Sequence, residues 1–344
     1  GSSIEARVYA EDPARSWQPQ AGLVHRLDVP VVRAEFATLG ARTGIRLDSG
    51  VVDGSTVSIH YDPMLAKVIS YAPSRRQAAL MLADALRRTH LHGVRTNRDL
   101  LVNVLRHPAF LDGATDTAFF DTHGLTELAA PLANTATVRL SAIAAALADA
   151  AHNRLTAQAS GVLGSIPSGW RNLPSGNQAK TYLDDDGREI CIEYRFIRGD
   201  LVIADDVRLV AASPLEVVLA DRDGVACSFA VARYGPDFHD VYVDSPHGPV
   251  HLVAVPRFPE PGSAVEQGSL VAPMPGNVIR VGAQAGDTVV KGQPLVWLEA
   301  MKMEHAIAAP SDGVLAQLNV KTGEQVEVGA VLARVDASEK SKGD

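Results

Sequence analysis

The chain has 344 residues, 46% of them hydrophobic, which suffices for two or three domains that each bury a core. A formal net charge of -8 without any basic run argues against nucleic acid as a partner. The longest apolar stretch, residues 140–151, is interrupted by Ser141 and Asp149 and is too short to span a bilayer, so no membrane partner is predicted. The two cysteines, Cys191 and Cys227, form no metal or redox motif; a disulfide between them stays open, but a reducing cytoplasm is the predicted location.

Residues 1–122 are predicted to form an α+β unit. Apolar residues at helical spacing predict a first helix whose N-cap is Ser74. A second helix is predicted from about Asn97 to Leu105, because Pro108 disfavours helical structure in the residue before it. Two strands are predicted around an Asp-Gly turn, at residues 51–52 and 56–59.

The first strand of this unit carries an unusual alternation of charges between Ile4 and Pro13. Composition alone indicates a solvated edge strand in which Arg7 forms a salt bridge with Glu5 or Asp12. A purely structural strand seldom needs so many charges. The run is therefore also a candidate for a functional role.

The middle of the chain begins with an alanine-rich amphipathic helix, predicted over about residues 137–153, whose small side chains would let strands wrap closely around it. Short β segments follow, separated by turns at residues 185–187, 198–200, 221–224 and 245–249. This spacing predicts an antiparallel meander that curls into a barrel or sandwich. The proline-rich residues 256–263 are predicted to form a semi-rigid linker.

The last part of the chain is a two-fold pseudo-repeat with an offset of about 37 residues. Its matching segments are Ala272–Gly276 with Ala309–Gly313, Gly286–Gly292 with Gly323–Gly329, and Leu295 with Leu332. Each half alternates aliphatic with small or polar residues, which predicts short strands that bury one face. Lys302 lies between the halves and is predicted at a hairpin tip, where its ε-amine stays in water. An ordinary surface lysine is the alternative interpretation.

The segment Ala300-Met301-Lys302-Met303 resembles the attachment motif Ala-Met-Lys-Met of the biotin carboxyl carrier domain, and the resemblance covers about residues 266–336. Lipoyl carriers share the duplicated barrel, but the Asp-Lys-Ala tip that they usually present is absent from this sequence. The resemblance implies that a biotin protein ligase attaches biotin covalently to Lys302. It also implies that Met301 and Met303 are determinants for the ligase and for docking of the carrier at active sites.

The run from Glu5 to Pro13 resembles the Glu-Ala-Arg-x-x-Ala-Glu-Asp-Pro signature of biotin carboxylase, and similar segments continue to residue 121. This resemblance implies that Arg7 faces the reacting biotin, whose ureido oxygen becomes negative. A guanidinium suits that task because it offers fixed donors and keeps its charge. Asp62 is implied to support the same site, and Arg46 to lie at an interface with other α subunits.

In the biotin carboxylase family an ATP-grasp part precedes this signature and binds ATP with Mg²⁺ or Mn²⁺. These 344 residues do not contain that part, and no Gly-x-x-x-x-Gly-Lys phosphate loop replaces it. ATP and its metal ion are therefore expected only in the full-length protein. The 344-residue piece alone is not expected to activate bicarbonate.

Residues 165–172 resemble the region that joins carboxylase and carrier in the α subunits of propionyl-CoA and methylcrotonyl-CoA carboxylases. In those subunits a barrel surrounds one helix and docks the carboxyltransferase β subunit. The resemblance implies that Trp170 and Arg171 lie at this interface, since exposed Trp and Arg are typical interface anchors. A core position for Trp170 is an equal alternative.

The predicted fold is multidomain and mainly β. It comprises an α+β biotin carboxylase C-terminal subdomain, an antiparallel β-barrel around a helix, and a flattened, duplicated β-barrel carrier. The predicted boundaries are residues 1–122, 123–255 and 266–337 for these domains, with a linker at 256–265 and a tail at 338–344.

The leading functional hypothesis is the α subunit of a biotin-dependent acyl-CoA carboxylase, a ligase that forms C–C bonds. Biotin on Lys302 would be carboxylated with ATP and bicarbonate and would carry the carboxyl group to a β subunit. One rival is a non-catalytic biotin carrier or assembly module; another is the carrier part of a biotin-dependent decarboxylase or pyruvate carboxylase. No metal site is predicted, because His90 and His92 have no acidic or cysteine companion at ligand spacing.

Overall fold

The computed structural model describes residues 1–161, 176–197, 200–258, 269–301 and 303–337. Residues 1–128 form what we call the N-terminal unit. Its strands are β1 (Ser2–Tyr9), β2 (Glu11–Asp12), β3 (Gln18–Pro19), β4 (Gly22–Leu23), β5 (Arg26–Asp28), β6 (Val32–Glu35), β7 (Gly44–Ser49), β8 (Thr56–Val57), β9 (Met64–Ala72) and β10 (His90–His92). Its helices are α1 (Arg75–Arg87), α2 (Arg98–Arg106), α3 (Pro108–Asp112), α4 (Phe119–His123) and α5 (Leu125–Leu128).

A four-stranded sheet with the order β1-β9-β7-β6 organises the N-terminal unit. Strand β9 pairs antiparallel with β1 and β7, and β6 runs parallel to β7. Because side chains alternate across a strand, one face of this sheet is apolar and packs against α1. Ala6, Val8, Leu82 and Leu86 are buried there in one cluster. The opposite face carries the charged side chains of β1 and β7.

Both predicted helices of the unit are present. The hydroxyl of Ser74 accepts a hydrogen bond from the N–H of Gln77 at 3.3 Å, which confirms Ser74 as the N-cap of α1. Helix α2 ends before His107, whose backbone is extended because Pro108 follows it. The same proline then occupies the first turn of α3, where its missing N–H has no consequence.

The predicted strand at residues 51–52 is wrong, and the strand predicted at residues 56–59 is limited to β8. The Ser49 hydroxyl donates to the carbonyl of Val51 at 2.6 Å, and Gly54 adopts a φ of 86°. These local bonds and the left-handed glycine form a turn in place of a sheet ladder.

The middle of the chain is a nearly closed antiparallel barrel around one long helix. The helix is α6 (Thr135–Ala159). The strands are β11 (Gln178–Leu183), β12 (Glu189–Ile197), β13 (Asp200–Ile203), β14 (Arg208–Ala212), β15 (Glu216–Ala220), β16 (Ala226–Tyr234), β17 (Asp240–Ser245) and β18 (Gly248–Ala254). Their order in the sheet is β13-β12-β11-β18-β17-β16-β15-β14, and the end strands β13 and β14 approach each other.

Helix α6 fills the barrel because most of its side chains are small. Its alanines between positions 142 and 148 are buried, and Ile143 and Leu147 join the cluster that contains Phe229 of β16. The barrel around a helix that the alanine-rich pattern predicted is thus confirmed, although the helix is longer than the predicted residues 137–153. In the described part of the chain, no helix is both long and apolar enough to cross a membrane.

We expect Leu147→Ala to destabilise the barrel by about 2–5 kcal/mol, because it deletes a fully buried side chain and leaves a cavity. The matched control is Leu155→Ala on the same helix, since the Leu155 side chain is 52% exposed and that of Leu147 only 1%. Urea denaturation followed by circular dichroism measures both effects. Equal midpoints for the two variants would contradict the packing of α6 inside the barrel.

The last part of the chain forms two four-stranded sheets. Its strands are β19 (Ser269–Val271), β20 (Gly276–Val281), β21 (Thr288–Val289), β22 (Pro294–Ala300), β23 (Met303–Ala308), β24 (Gly313–Leu318), β25 (Gln325–Val326) and β26 (Val331–Ala337). Strands β20, β21 and β22 begin at 276, 288 and 294, and β24, β25 and β26 begin at 313, 325 and 331, so the predicted offset of 37 residues is confirmed.

The two halves of this duplicated unit are interleaved. One sheet has the order β19-β26-β24-β21 and the other β23-β22-β20-β25, so each contains strands from both halves. Leu295 and Leu332, which the repeat relates, are both fully buried in the shared core. The flattened, duplicated barrel is therefore the observed fold.

Candidate functional site

Arg7 lies on the open face of the N-terminal sheet. In β1 the side chains of Ala6 and Val8 point into the core, so Glu5 and Arg7 share the opposite face. The Arg7 Nε donates to Glu5 Oε1 at 2.9 Å, and this hydrogen bond is the main reason that the pKa of Arg7 is raised. A permanent cation therefore stands on an accessible surface, with 56% of its side chain exposed.

Asn97 holds the backbone of the strand that carries Arg7. Its amide nitrogen donates to the carbonyl of Arg7 at 3.1 Å, and its amide oxygen accepts the N–H of Tyr9 at 3.0 Å. Asn97 is buried, so both bonds are shielded from water. Sequence reasoning identified Asn97 as the start of a helix and as part of a segment that resembles biotin carboxylase, but it did not predict a contact with Arg7. A buried amide fixes the strand position of Arg7.

The strands beside β1 continue the charged face. In the strand register, Arg7 of β1 lies opposite Lys67 of β9, and Lys67 lies opposite Asp48 of β7. Arg46 forms a bidentate ion pair with Asp48, with contacts of 2.8 and 2.6 Å, and this hydrogen bonding lowers the pKa of Asp48. Arg46 is thus held in place on the sheet, and its role at an interface with another subunit stays a prediction.

Asp62 lies near the end of β1 that carries Arg7. Tyr9 pairs with Met64, which places the loop before β9 beside that end. The Asp62 Oδ1 accepts the N–H of Met64 at 2.9 Å, which orients its carboxylate. Burial, and secondarily the negative charge of Asp62, raise the pKa of Glu11. The carboxylates of Glu11 and Asp62 are therefore close enough to interact electrostatically.

A two-residue turn joins β22 and β23 at the end of the carrier barrel. Ala300 and Met303 are paired, so only Met301 and Lys302 separate the two strands. Met301 has a φ of 49°, the left-handed conformation that type I′ hairpin turns need at their first central position. Lys302 itself lies outside the described residues. By its position in the sequence, the predicted attachment residue Lys302 belongs to this turn.

The carrier tip contacts the N-terminal unit. The N–H of Met301 donates to the carbonyl of Ile59 at 2.8 Å, and the Met301 side chain is only 6% exposed. It joins the same apolar cluster as Val57 and Leu65. A second contact runs from Gln18 Nε2 to the carbonyl of Pro273 at 3.2 Å. Sequence reasoning missed Ile59, because nothing in its local pattern marks a docking position.

Met303 begins β23 and is partly buried, in contrast to the buried Met301. Trp170 and Arg171 lie outside the described residues, as do residues 259–265 of the predicted linker, the first three residues of the predicted carrier and the tail. The structure therefore places Met301 against the loop that precedes Asp62, whereas Arg7 lies on the open face of the sheet.

Comparisons with known proteins match two separate regions of the chain. The family described as "Biotin carboxylase C-terminal domain" matches residues 5–122, and the family described as "Biotin-requiring enzyme" matches residues 268–335. The chain thus combines a region of the biotin carboxylase C-terminal family with a region of the biotin-requiring family, so the class of protein that it resembles is that of the biotin-dependent carboxylases.

Individual relatives show which kind of carboxylase subunit the chain resembles. Over 349 residues the chain is 29% identical to the mitochondrial methylcrotonoyl-CoA carboxylase subunit alpha of Dictyostelium discoideum, covering 97% of this chain and 48% of the relative. It is 28% identical over 356 residues to the propionyl-CoA carboxylase alpha chain of Ruegeria pomeroyi, covering 96% and 51%. The chain is a homologue of the C-terminal part of such acyl-CoA carboxylase α subunits, and it spans about half the length of these relatives.

A third relative matches a smaller region. Pyruvate carboxylase 1 of Caenorhabditis elegans is 43% identical over 124 residues, which cover 36% of this chain and 10% of the relative. The similarity to acyl-CoA carboxylase α subunits therefore extends over far more of the chain.

Proposed function

We propose that this chain carries biotin on Lys302 and supplies part of the biotin carboxylase site of an acyl-CoA carboxylase α subunit. The observation that carries the proposal is the contact between Met301, next to Lys302, and Ile59 in the loop that precedes Asp62. This contact supports delivery of the carrier tip to the N-terminal unit, which also contains Arg7 and Asp62. Biotin, when bound, supplies a ureido nitrogen that accepts a carboxyl group.

In this proposal Arg7 acts electrostatically. Its guanidinium stabilises the negative charge that develops on the ureido oxygen, and its pairing with Glu5 fixes its orientation beforehand. Asn97 keeps the strand of Arg7 in place from the buried side. Asp62, whose carboxylate is oriented by the N–H of Met64, is proposed to support the same site together with the nearby carboxylate of Glu11. Met301 and Met303 are the proposed determinants for biotin protein ligase and for docking.

Other functions of the whole enzyme belong to parts outside these residues. ATP with Mg²⁺ or Mn²⁺ would bind an ATP-grasp part, and a carboxyltransferase β subunit would transfer the carboxyl group to an acyl-CoA. We propose that Trp170 and Arg171 contact the β subunit, and that Arg46 contacts another α subunit. We propose the division into residues 1–122, 123–255 and 266–337, and a cytoplasmic location, although several relatives are named as mitochondrial.

Two alternative functions can be distinguished from this proposal, one by how much of the chain its relatives match and the other by the effect of changing Arg7. Carriers of pyruvate carboxylase type are disfavoured because that relative matches 36% of this chain, whereas the α subunits named above match 96–97%. A non-catalytic carrier or assembly module would have no need for Arg7. Loss of carboxylation on changing Arg7 therefore discriminates it from a contributing carboxylase.

The experiment combines the biotinylated chain with a separately expressed ATP-grasp part from a biotin carboxylase. We expect the radiolabelled carboxyl group of bicarbonate to be transferred to the biotinylated chain only when both parts and ATP are present. Absence of label on a chain that is fully biotinylated, with an ATP-grasp part shown to bind ATP, would refute the proposed contribution to carboxylation.

Docking of the carrier tip predicts slow exchange of the Met301 amide hydrogen. We expect Ile59→Arg to accelerate this exchange roughly 10- to 100-fold, because a long charged side chain in the docking loop shifts the carbonyl of residue 59 that accepts the Met301 N–H. Hydrogen–deuterium exchange followed by NMR or mass spectrometry measures it. Val52→Arg is the control, since Val52 is 71% exposed in the same unit. Equal protection in the two variants would contradict the docked position.

A further inference from the structure

Two histidines of the N-terminal unit meet one aspartate of the barrel. His90 and His92 occupy alternate positions of β10, so their rings lie on the same side of the strand. Asp244 of β17 approaches both: its Oδ2 lies 2.6 Å from His90 Nδ1 and 2.9 Å from His92 Nε2. The candidate ligand atoms of the three residues all lie within 4.8 Å of one another.

We propose that His90, His92 and Asp244 form a binding site for a divalent transition metal, with Zn²⁺ as the best-fitting ion, that links the N-terminal unit to the barrel. Two imidazoles and one carboxylate are donors that Zn²⁺ commonly uses, and three protein ligands leave one position for water. Tetrahedral coordination at about 2.0–2.2 Å separates ligand atoms by roughly 3.3 Å. To bind the ion, the distances from Asp244 Oδ2 to His90 Nδ1 and to His92 Nε2 would therefore have to increase by less than about 1 Å.

The residues around the cluster orient and shield its ligands, as they do in metal sites of other proteins. His92 Nδ1 lies 3.0 Å from the hydroxyl of Tyr234, so the nitrogen that faces away from Asp244 has a hydrogen-bond partner that fixes the ring. The ring of Tyr242 stacks on His92 with centroids 4.6 Å apart and shields it from solvent. The His92 side chain is 2% exposed, whereas that of His90 is 27% exposed and provides a path for an ion.

The position of the site gives it a structural consequence. Its two histidines belong to β10, which pairs with β5, and its carboxylate belongs to β17 of the barrel. An ion held by all three would tie these parts together more firmly than the hydrogen bonds do. Loss of the ion would loosen the barrel from the unit that contains Arg7.

The test is calorimetric titration of the EDTA-treated, dialysed chain with Zn²⁺, together with Co²⁺ as a spectroscopic probe. We expect one Zn²⁺ per chain, a visible absorption band of Co²⁺ in low-coordination geometry, and a Zn²⁺-dependent rise of the thermal unfolding temperature. Asp244→Asn is expected to lose all three, and Tyr234→Phe to bind roughly 10- to 100-fold more weakly.

The matched control is His251→Gln, because His251 contacts a different carboxylate, Asp185, at 2.8 Å in the same region. It is expected to bind Zn²⁺ like the wild-type chain. If Asp244→Asn does not fold, His90→Gln replaces it, since His90 is the more exposed ligand. The proposal is overturned if the wild-type chain binds no stoichiometric Zn²⁺, or if the ligand variants bind it as tightly as the control.

Discussion

Lys302→Arg is expected to abolish attachment of biotin completely. Arginine keeps the positive charge and much of the length, but its guanidinium is not acylated by a ligase that activates a carboxyl group. Intact mass spectrometry after coexpression with an active biotin protein ligase measures the result. The wild-type chain should gain the mass of one biotinyl group, and the variant should gain none.

Lys291→Arg is the control for this experiment. Lys291 is an exposed lysine in the turn between β21 and β22 of the same duplicated barrel, so its replacement changes neither the fold nor the hairpin apex. It should be biotinylated like the wild-type chain. Biotin on a lysine other than Lys302, or an unmodified wild-type chain in the presence of an active ligase, would remove the basis of the proposed function.

Arg7→Ala is expected to lower the rate of biotin carboxylation by about 10²–10³-fold in the complex with an ATP-grasp part, which is typical of losing one oxyanion donor. Attachment of biotin to Lys302 should be unaffected, because Arg7 lies in a different unit from the carrier tip. The measurement compares the initial rate of label transfer from bicarbonate with the biotin content of each sample.

Arg76→Ala is the control, because Arg76 is exposed on α1 and α1 covers the face of the sheet opposite to Arg7. Arg7→Lys adds a second comparison: a lysine keeps the charge but loses the planar set of donors, so most of the rate should still be lost. A normal rate in Arg7→Ala would favour the non-catalytic carrier module instead.

The carrier and the barrel could be predicted because their signals are local and repeated. The two halves of the carrier share glycine and proline turns at one offset, and the strands follow that offset. The alanine-rich run predicted a helix that strands could surround, and α6 is that helix. In both regions the burial pattern of each segment agrees with its own residue pattern, so no distant partner was needed to recognise it.

The contacts that complete the candidate sites could not be predicted, because they join residues that are far apart in the chain. Asn97 bonds to the carbonyl of Arg7 across 90 residues, and Asp244 meets His92 across 152 residues. The strand predicted at residues 51–52 is absent because of a local contact. The hydroxyl of Ser49 donates to the carbonyl of Val51 and holds this segment in a turn. Valine propensity for strands was outweighed there by a side-chain hydrogen bond.

The interleaving of the two carrier halves has a consequence for the order of events during synthesis. The sheet that presents the hairpin apex includes β25, which the ribosome makes after Lys302. A nascent chain that ends between them has the attachment sequence, but the edge of β20 that pairs with β25 is still open. If biotin protein ligase recognises the folded carrier, as the proposed function requires, modification of Lys302 would wait until the second half has emerged and folded, and biotin on Lys302 would then mark a carrier that has been translated completely.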